Sequence, residues 1–177
     1  MRRAPFLVVL LVLVAACGGE DRDGRSPSAG KPLPNPCAWV KPASLGEPMG
    51  TTFETDEVSK DTCVYRSIES RSSVEITLTA RRLDDAGPSL AAHREKSFAD
   101  LVRPVTRPDD SADEAVIAVG RPKAGGQQLH ARGVAREGDG VLVVALDQND
   151  DLQADALRDY VGLVLAVAAL EKFEREL

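Results

Sequence analysis

Between residues 62 and 177 the apolar positions follow two rhythms. In "SSVEITLTARRL", Val74, Ile76, Leu78 and Ala80 alternate with Glu75, Thr77, Thr79 and Arg81, the period of two that marks a strand with one wet face. "TCVYRS" before it predicts a shorter strand, and "EAVIAVG" and "QQLHARGVAR" predict two more. The glycine-rich "EGDG" predicts a hairpin turn into "VLVVALD", the most apolar strand and so the expected centre of the sheet. Helical signals flank these strands. Gly87-Pro88 opens a helix over about 88–102, with proline tolerated in its first turn. Leu90, Ala91, Phe98, Leu101 and Val102 share one face of it, interrupted by Arg94. Asp150 and Gln153 form a capping-box pair at the head of a longer helix over about 151–174. Its segment "YVGLVLAVAAL" is apolar all round for eleven residues, too few to cross a bilayer, which predicts burial against the sheet.

The remaining segments are weaker in pattern. "PCAWVKPASLG" predicts a short helix or turn, with Ala43–Leu45 ending at Gly46. "EPMGTTFETDEVSKD" holds only Met49, Phe53 and Val58 as larger apolar residues, too few to hold the segment down by themselves. "RPVTRPDDSADE" carries two prolines, which confine it to a loop or a sheet edge. The order of elements predicts one α+β domain over residues 37–177: a mainly antiparallel sheet of about five strands, with the helices packed on one face and a long C-terminal helix.

The N-terminus has a different character. Arg2 and Arg3 precede an unbroken apolar run from Phe6 to Ala16. Eleven residues are too few for a resident transmembrane helix, and a charged start with small residues at the end describes a signal peptide. Val14-Ala15-Ala16-Cys17 resembles the lipobox of bacterial lipoproteins. The resemblance implies cleavage after residue 16 and lipid addition to Cys17. Residues 18–36, "GGEDRDGRSPSAGKPLPNP", contain four Gly and four Pro and no periodic apolar pattern, so residues 17–36 are expected to be anchor and tether. A flexible chain of that length spans roughly 25 Å on average and about 65 Å at full stretch. Within it "GRSPSAGKP" imitates a phosphate-binding loop, but the spacing is one residue too long and Pro32 replaces the hydroxyl residue.

Charge narrows the classes of partner. The chain carries −6 overall, and loss of residues 1–16 removes two arginines, leaving 20 basic against 28 acidic residues. An acidic module is a poor match for nucleic acid. Arginine outnumbers lysine 16 to 6, a bias common in GC-rich genomes such as those of actinobacteria. Two cysteines remain after lipidation, Cys37 and Cys63. In the oxidising compartment that an exported chain meets, they invite a disulfide; the alternatives are a reactive thiol and a metal site, although the latter lacks nearby His or further Cys. "NPCAWVKPASLG" followed by "DTCVYR", behind a lipobox and a Pro-Gly tether, resembles a family of actinobacterial lipoproteins with a domain of unknown function. Pro36, Cys37, Trp39, Pro42, Leu45, Cys63 and Tyr65 carry the resemblance, and Thr62 stands where a glycine or another small residue is usual. It implies a place in the cell envelope and supplies no chemistry.

Catalytic and metal motifs are sparse. His93 and His130 sit in no zinc-ligand spacing. Asp147-x-Asn149-x-Asp151 begins like a calcium loop, but Leu152 takes the glycine position and Arg158 that of the final glutamate. The acidic pairs Asp84-Asp85, Asp109-Asp110 and Asp113-Glu114 fall in expected loops, where solvated charge is the ordinary role. Arg81, Arg82, Arg103, Arg107, Arg121, Arg132 and Arg136 could form an anion patch, with scattered solvent-facing arginines as the simpler expectation. The expected function is therefore a non-catalytic envelope lipoprotein without a cofactor, held at the outer face of the cytoplasmic membrane through Cys17. Its partner would be an envelope protein or a small apolar ligand. One alternative is a carrier of hydrophobic ligands, with a cavity lined by Leu163, Val164 and Val167. The other is a wall-acting enzyme, which needs Asp84, Asp85, His93 or His130 to converge in one cleft.

Overall fold

The computed structural model describes residues 33, 35–69, 73–83 and 88–173. The signal segment, Cys17, most of the tether and Asp84-Asp85 lie outside the described residues.

Seven strands form one antiparallel sheet: β1 (Phe53–Ser59), β2 (Thr62–Ser67), β3 (Val74–Arg82), β4 (Leu101–Asp109), β5 (Glu114–Pro122), β6 (His130–Glu137) and β7 (Gly140–Gln148). Their order across the sheet is β1-β2-β3-β7-β6-β5-β4. Two meanders, one of three strands and one of four, therefore meet where β3 pairs with β7, in an unbroken register from Val74↔Gln148 to Arg82↔Gly140. β7 lies at the centre, as its apolar sequence predicts.

The expected count of about five strands is too low, because neither sheet edge carries a strand's alternation of apolar and polar positions. β1 is a strand although only Phe53 among its residues is buried. Its other positions face water at the sheet margin, so no alternation betrays it. β4 is the opposite edge and contains the two prolines that barred it from the centre. A bulge falls between Val102 and Val105, where Arg103 adopts φ 44°. Charges on β1 (Glu54, Asp56, Glu57) and the prolines and bulge on β4 keep both edges from recruiting further strands.

Three helices cover the sheet: α1 (Pro42–Met49), α2 (Leu90–Phe98) and α3 (Ala154–Phe173). α1 extends past Gly46 and ends at Gly50, whose φ of 67° provides the left-handed cap. α3 starts at Ala154 rather than beside Asp150. The expectation that all helices share one face is also corrected. α3 packs on β5, β6 and β7, over the face formed by Ile117, Gly133, Val144 and Leu146, and α1 lies beside α3 and β1. α2 covers the other face, that of Thr79, Arg132 and Val143. Connectivity explains this. The chain must travel from β3 in mid-sheet to β4 at the far edge, and α2 lies within that crossing. The shared face expected for residues 88–102 does not form, because the helix stops at Phe98 and Leu101 begins β4.

The principal core lies beneath α3. Leu157, Val161, Val164, Leu165 and Ala168 are fully buried against Ile76, Leu78, Val144 and Leu146. Gly133 makes the approach possible, since a β-carbon there would lie 2.5 Å from Val161 Cγ1 and 3.1 Å from Leu165 Cδ1. Gly133→Ala is expected to lift α3 from the sheet and cost about 1–3 kcal/mol. Urea unfolding of the variant tests this, and unchanged stability would mean that α3 accommodates the methyl group without loss.

At the other end of this core, a 3₁₀ turn at Pro36–Ala38 is fastened to β2 by the disulfide Cys37–Cys63. Polar bonds reinforce it: Tyr65 Oη donates to the Val40 carbonyl at 3.0 Å, and the Asn35 side chain accepts from Cys37 N at 2.7 Å and donates to Ser59 and Thr62 carbonyls. Trp39 and Val40 are buried as a result. Cys37→Ser combined with Cys63→Ser is expected to lower stability by about 2–4 kcal/mol. Residues 36–49 should lose hydrogen-exchange protection before β5–β7 do. Simultaneous loss in both regions would show that the bridge supports the whole domain rather than its N-terminal segment.

Candidate functional site

The β6–β7 hairpin aligns residues whose numbers are far apart. Its register pairs Arg132 with Ala145 and Ala131 with Leu146, and one step further along it brings His130 beside Asp147. His130 Nδ1 lies 2.5 Å from Asp147 Oδ1, and Arg132 Nη2 lies 2.8 Å from the same oxygen. Arg132 also holds Asp100, at the corner between α2 and β4, through Nη2 at 2.6 Å and Nε at 3.1 Å. Its Nη1 donates to the carbonyls of Ala131 and Leu146. The guanidinium is 8% exposed, so each of these bonds offsets desolvation. Burial alone would lower its pKa, but hydrogen bonds to Asp100 and the charge of Asp147 outweigh burial and raise it.

Next to this network a cleft of about 350 Å³ opens between α2 and the sheet. Val141, Val143 and Ala145 of β7 give it an apolar floor. Arg81 of β3, His93 and Lys96 of α2, and Arg132 bring four basic side chains to its walls, with Asp100 as the acid. Arg81 donates through Nε to Asp61 at 2.6 Å. α2 has no buried residue; Ser89 caps it by accepting from Ala92 N, and Arg94 ties it to Glu114 at 2.7 Å.

The sequence-predicted residues distribute unevenly around this site. His93 lines the cleft, whereas His130 is held by Asp147. Of the seven arginines, Arg81 and Arg132 share the cleft. Arg82 pairs with Asp139 and Arg136 with Glu114, while Arg103, Arg107 and Arg121 are exposed on β4 and β5. The acidic pairs have local tasks. Asp109 accepts from Ser111 N, Asp113 accepts from Gly138 N, and Glu114 anchors Arg94. Asp147, the first position of the calcium-like stretch, faces two basic side chains, and Asn149 bonds to Ser73. Among the described residues no group of three or more His, Cys, Asp or Glu converges as a metal site. None of four principal clefts among those residues is lined by Leu163, Val164 or Val167, the cavity the carrier alternative requires. Lys96 was not singled out from sequence, because a lysine on a polar helix carries no mark of facing a cleft. The His130–Asp147 pair was in principle countable from the "EGDG" turn, once the hairpin register was assumed.

His93 stands in a positive field. Burial comes first among the causes that lower its pKa below the ordinary 6.5, followed by the charges of Arg81 and Lys96. The unfolded chain therefore binds more protons there than the folded one as pH falls through and below about 6.5, so acid removes stability through this group. The charged groups facing it are Arg81 from β3, Lys96 from α2, Asp100 from the corner and Arg132 from β6. Urea titrations from pH 7.5 to 5 should show His93→Gln gaining stability relative to the native chain as pH decreases. A difference that is flat with pH would mean that this ring does not titrate as its surroundings dictate.

Compared with protein-family models, curated proteins and solved structures, the chain has no significant match.

Proposed function

We propose that the chain is a lipid-anchored lipoprotein on the outer face of the cytoplasmic membrane, and that its α+β domain is a non-catalytic binding or interaction module of the cell envelope. The observation that carries this proposal is Val14-Ala15-Ala16-Cys17 at the end of an eleven-residue apolar run that follows two arginines. Two further features support it. The Cys37–Cys63 disulfide suits an oxidising compartment, and the Pro-Gly-rich stretch of residues 18–36 suits a spacer between lipid and domain. A single acyl chain, at roughly 0.8 kcal/mol per buried methylene, holds a protein only marginally, so durable anchoring takes two or three chains on Cys17.

The way the polar groups are used supports the module assignment. The carboxylates at Asp100 and Asp147 are committed to Arg132, and those at Asp109, Asp113 and Glu114 to turns and to α2. The cleft under α2 is the face assigned to a ligand in this proposal. Metabolic labelling in the native host tests the anchor. The wild-type protein should incorporate palmitate and sediment with membranes, whereas Cys17→Ser should incorporate none. Equal labelling of the two would reject lipidation at Cys17 and the proposal with it.

A further inference from the structure

We infer that the cleft between α2 and the sheet binds a small organic anion, a carboxylate or phosphomonoester carried on a compact apolar body. This rests on the binding-module proposal and names the ligand class of its cleft. The volume, about 350 Å³, lies at the small end of ligand pockets, which run from roughly 300 to 1,000 Å³. Its floor is the apolar row Val141, Val143 and Ala145 of β7, and its walls bring Arg81, His93, Lys96 and Arg132 together from three elements.

The whole chain is −6, yet the charges felt at the His93 ring, those of Arg81 and Lys96, are positive. Arg132 is held in place by Asp100 and Asp147 and shapes the wall, and Arg81 is oriented by Asp61. Among the described residues Lys96 has no ion-pair partner, and its ammonium can turn to an incoming anion. His93 lies on the same face of α2, three residues earlier; burial and the charges of Arg81 and Lys96 lower its pKa, and an anion that offsets those cations favours its protonation. Such an anion gains from both cations at a partly enclosed surface, where charge interactions are stronger than in open water. The apolar floor gives the body of the ligand a place that inorganic phosphate cannot use.

Calorimetric titration of the full-length protein in detergent with phenyl phosphate, inorganic phosphate and benzyl alcohol tests the assignment. Phenyl phosphate should bind saturably at one site per chain, with the other two probes at least tenfold weaker. Lys96→Gln should weaken phenyl phosphate fivefold or more, and Lys96→Arg should restore most of the affinity, which separates charge from a structural effect. In buffers of different ionisation enthalpy near pH 6.5, binding to the native chain should take up more proton than binding to His93→Gln, the titration of the phosphate itself being common to both. Three results would overturn the inference: no saturable binding of phenyl phosphate, benzyl alcohol binding as tightly as the anion, or an affinity unchanged by Lys96→Gln. Failure here with Cys17-dependent palmitate labelling intact would remove the ligand and leave the anchored module. Labelling independent of Cys17 with phenyl phosphate bound would do the reverse.

Discussion

The ladder between β3 and β7 joins two meanders that could not be stable apart. β1–β2–β3 has one buried face and no helix of its own except α1, while β4–β7 cannot close its central edge without β3. The partners are at least sixty residues apart at every step from Val74↔Gln148 to Arg81↔Val141. Their pairing therefore closes a long loop, and loop entropy must be overcome before the ladder contributes. What repays that entropy is the face beneath α3. Ile76 and Leu78 from one meander and Val144 and Leu146 from the other are fully buried in the same core, with α3 over β7 and the Pro36–Ala38 turn against β3. Sheet pairing and helix packing are thus one cooperative event, centred on the place where Gly133 lets α3 come close.

The disulfide acts on a different part of that event. Cys63 lies on β2, one strand outside β3, and Cys37 lies in the turn that leads into α1. With Tyr65 donating to Val40 and Trp39 enclosed, the bridge converts a polar N-terminal segment into the lid of the three-stranded half. A chain with only four phenylalanines, two tyrosines and one tryptophan in 177 residues has little large apolar surface to spare, and a cross-link adds stability that does not depend on it.

Legibility in the sequence followed the number of wet faces. β3 alternates because one face meets the core and the other the more polar α2 side, and the apolar run of β7 marks the centre of the sheet. β1 was hidden because Phe53 alone is buried and the rest of the strand is exposed. Tyr65 and Val64, adjacent on β2 and both buried, break the alternation there as well. α2 misled for the opposite reason. A few apolar residues suggested a core stripe, but the helix has no buried residue and its useful face is basic. The ion network was less accessible still. Arg132 can be placed beside Asp147 only through the hairpin register, and beside Asp100 only through the crossing made by α2, which depends on the strand order rather than on any local pattern.

That crossing couples the fold to the cleft. A helix held by Ser89, by Arg94 on Glu114 and by the corner at Asp100, rather than by buried side chains, belongs to the low-stability end of the structure. The carboxylate of Asp100 reaches from the end of this helix to an arginine fixed in mid-sheet, so movement of α2 acts on the network of Asp100, Arg132 and Asp147. A ligand bridging Lys96 of α2 and Arg81 of β3 would bind only where helix and sheet are packed together. It would stabilise that arrangement in proportion to its concentration over its dissociation constant. The same loose packing that leaves room for a cleft is what makes α2 the element through which occupancy would be felt by the rest of the domain.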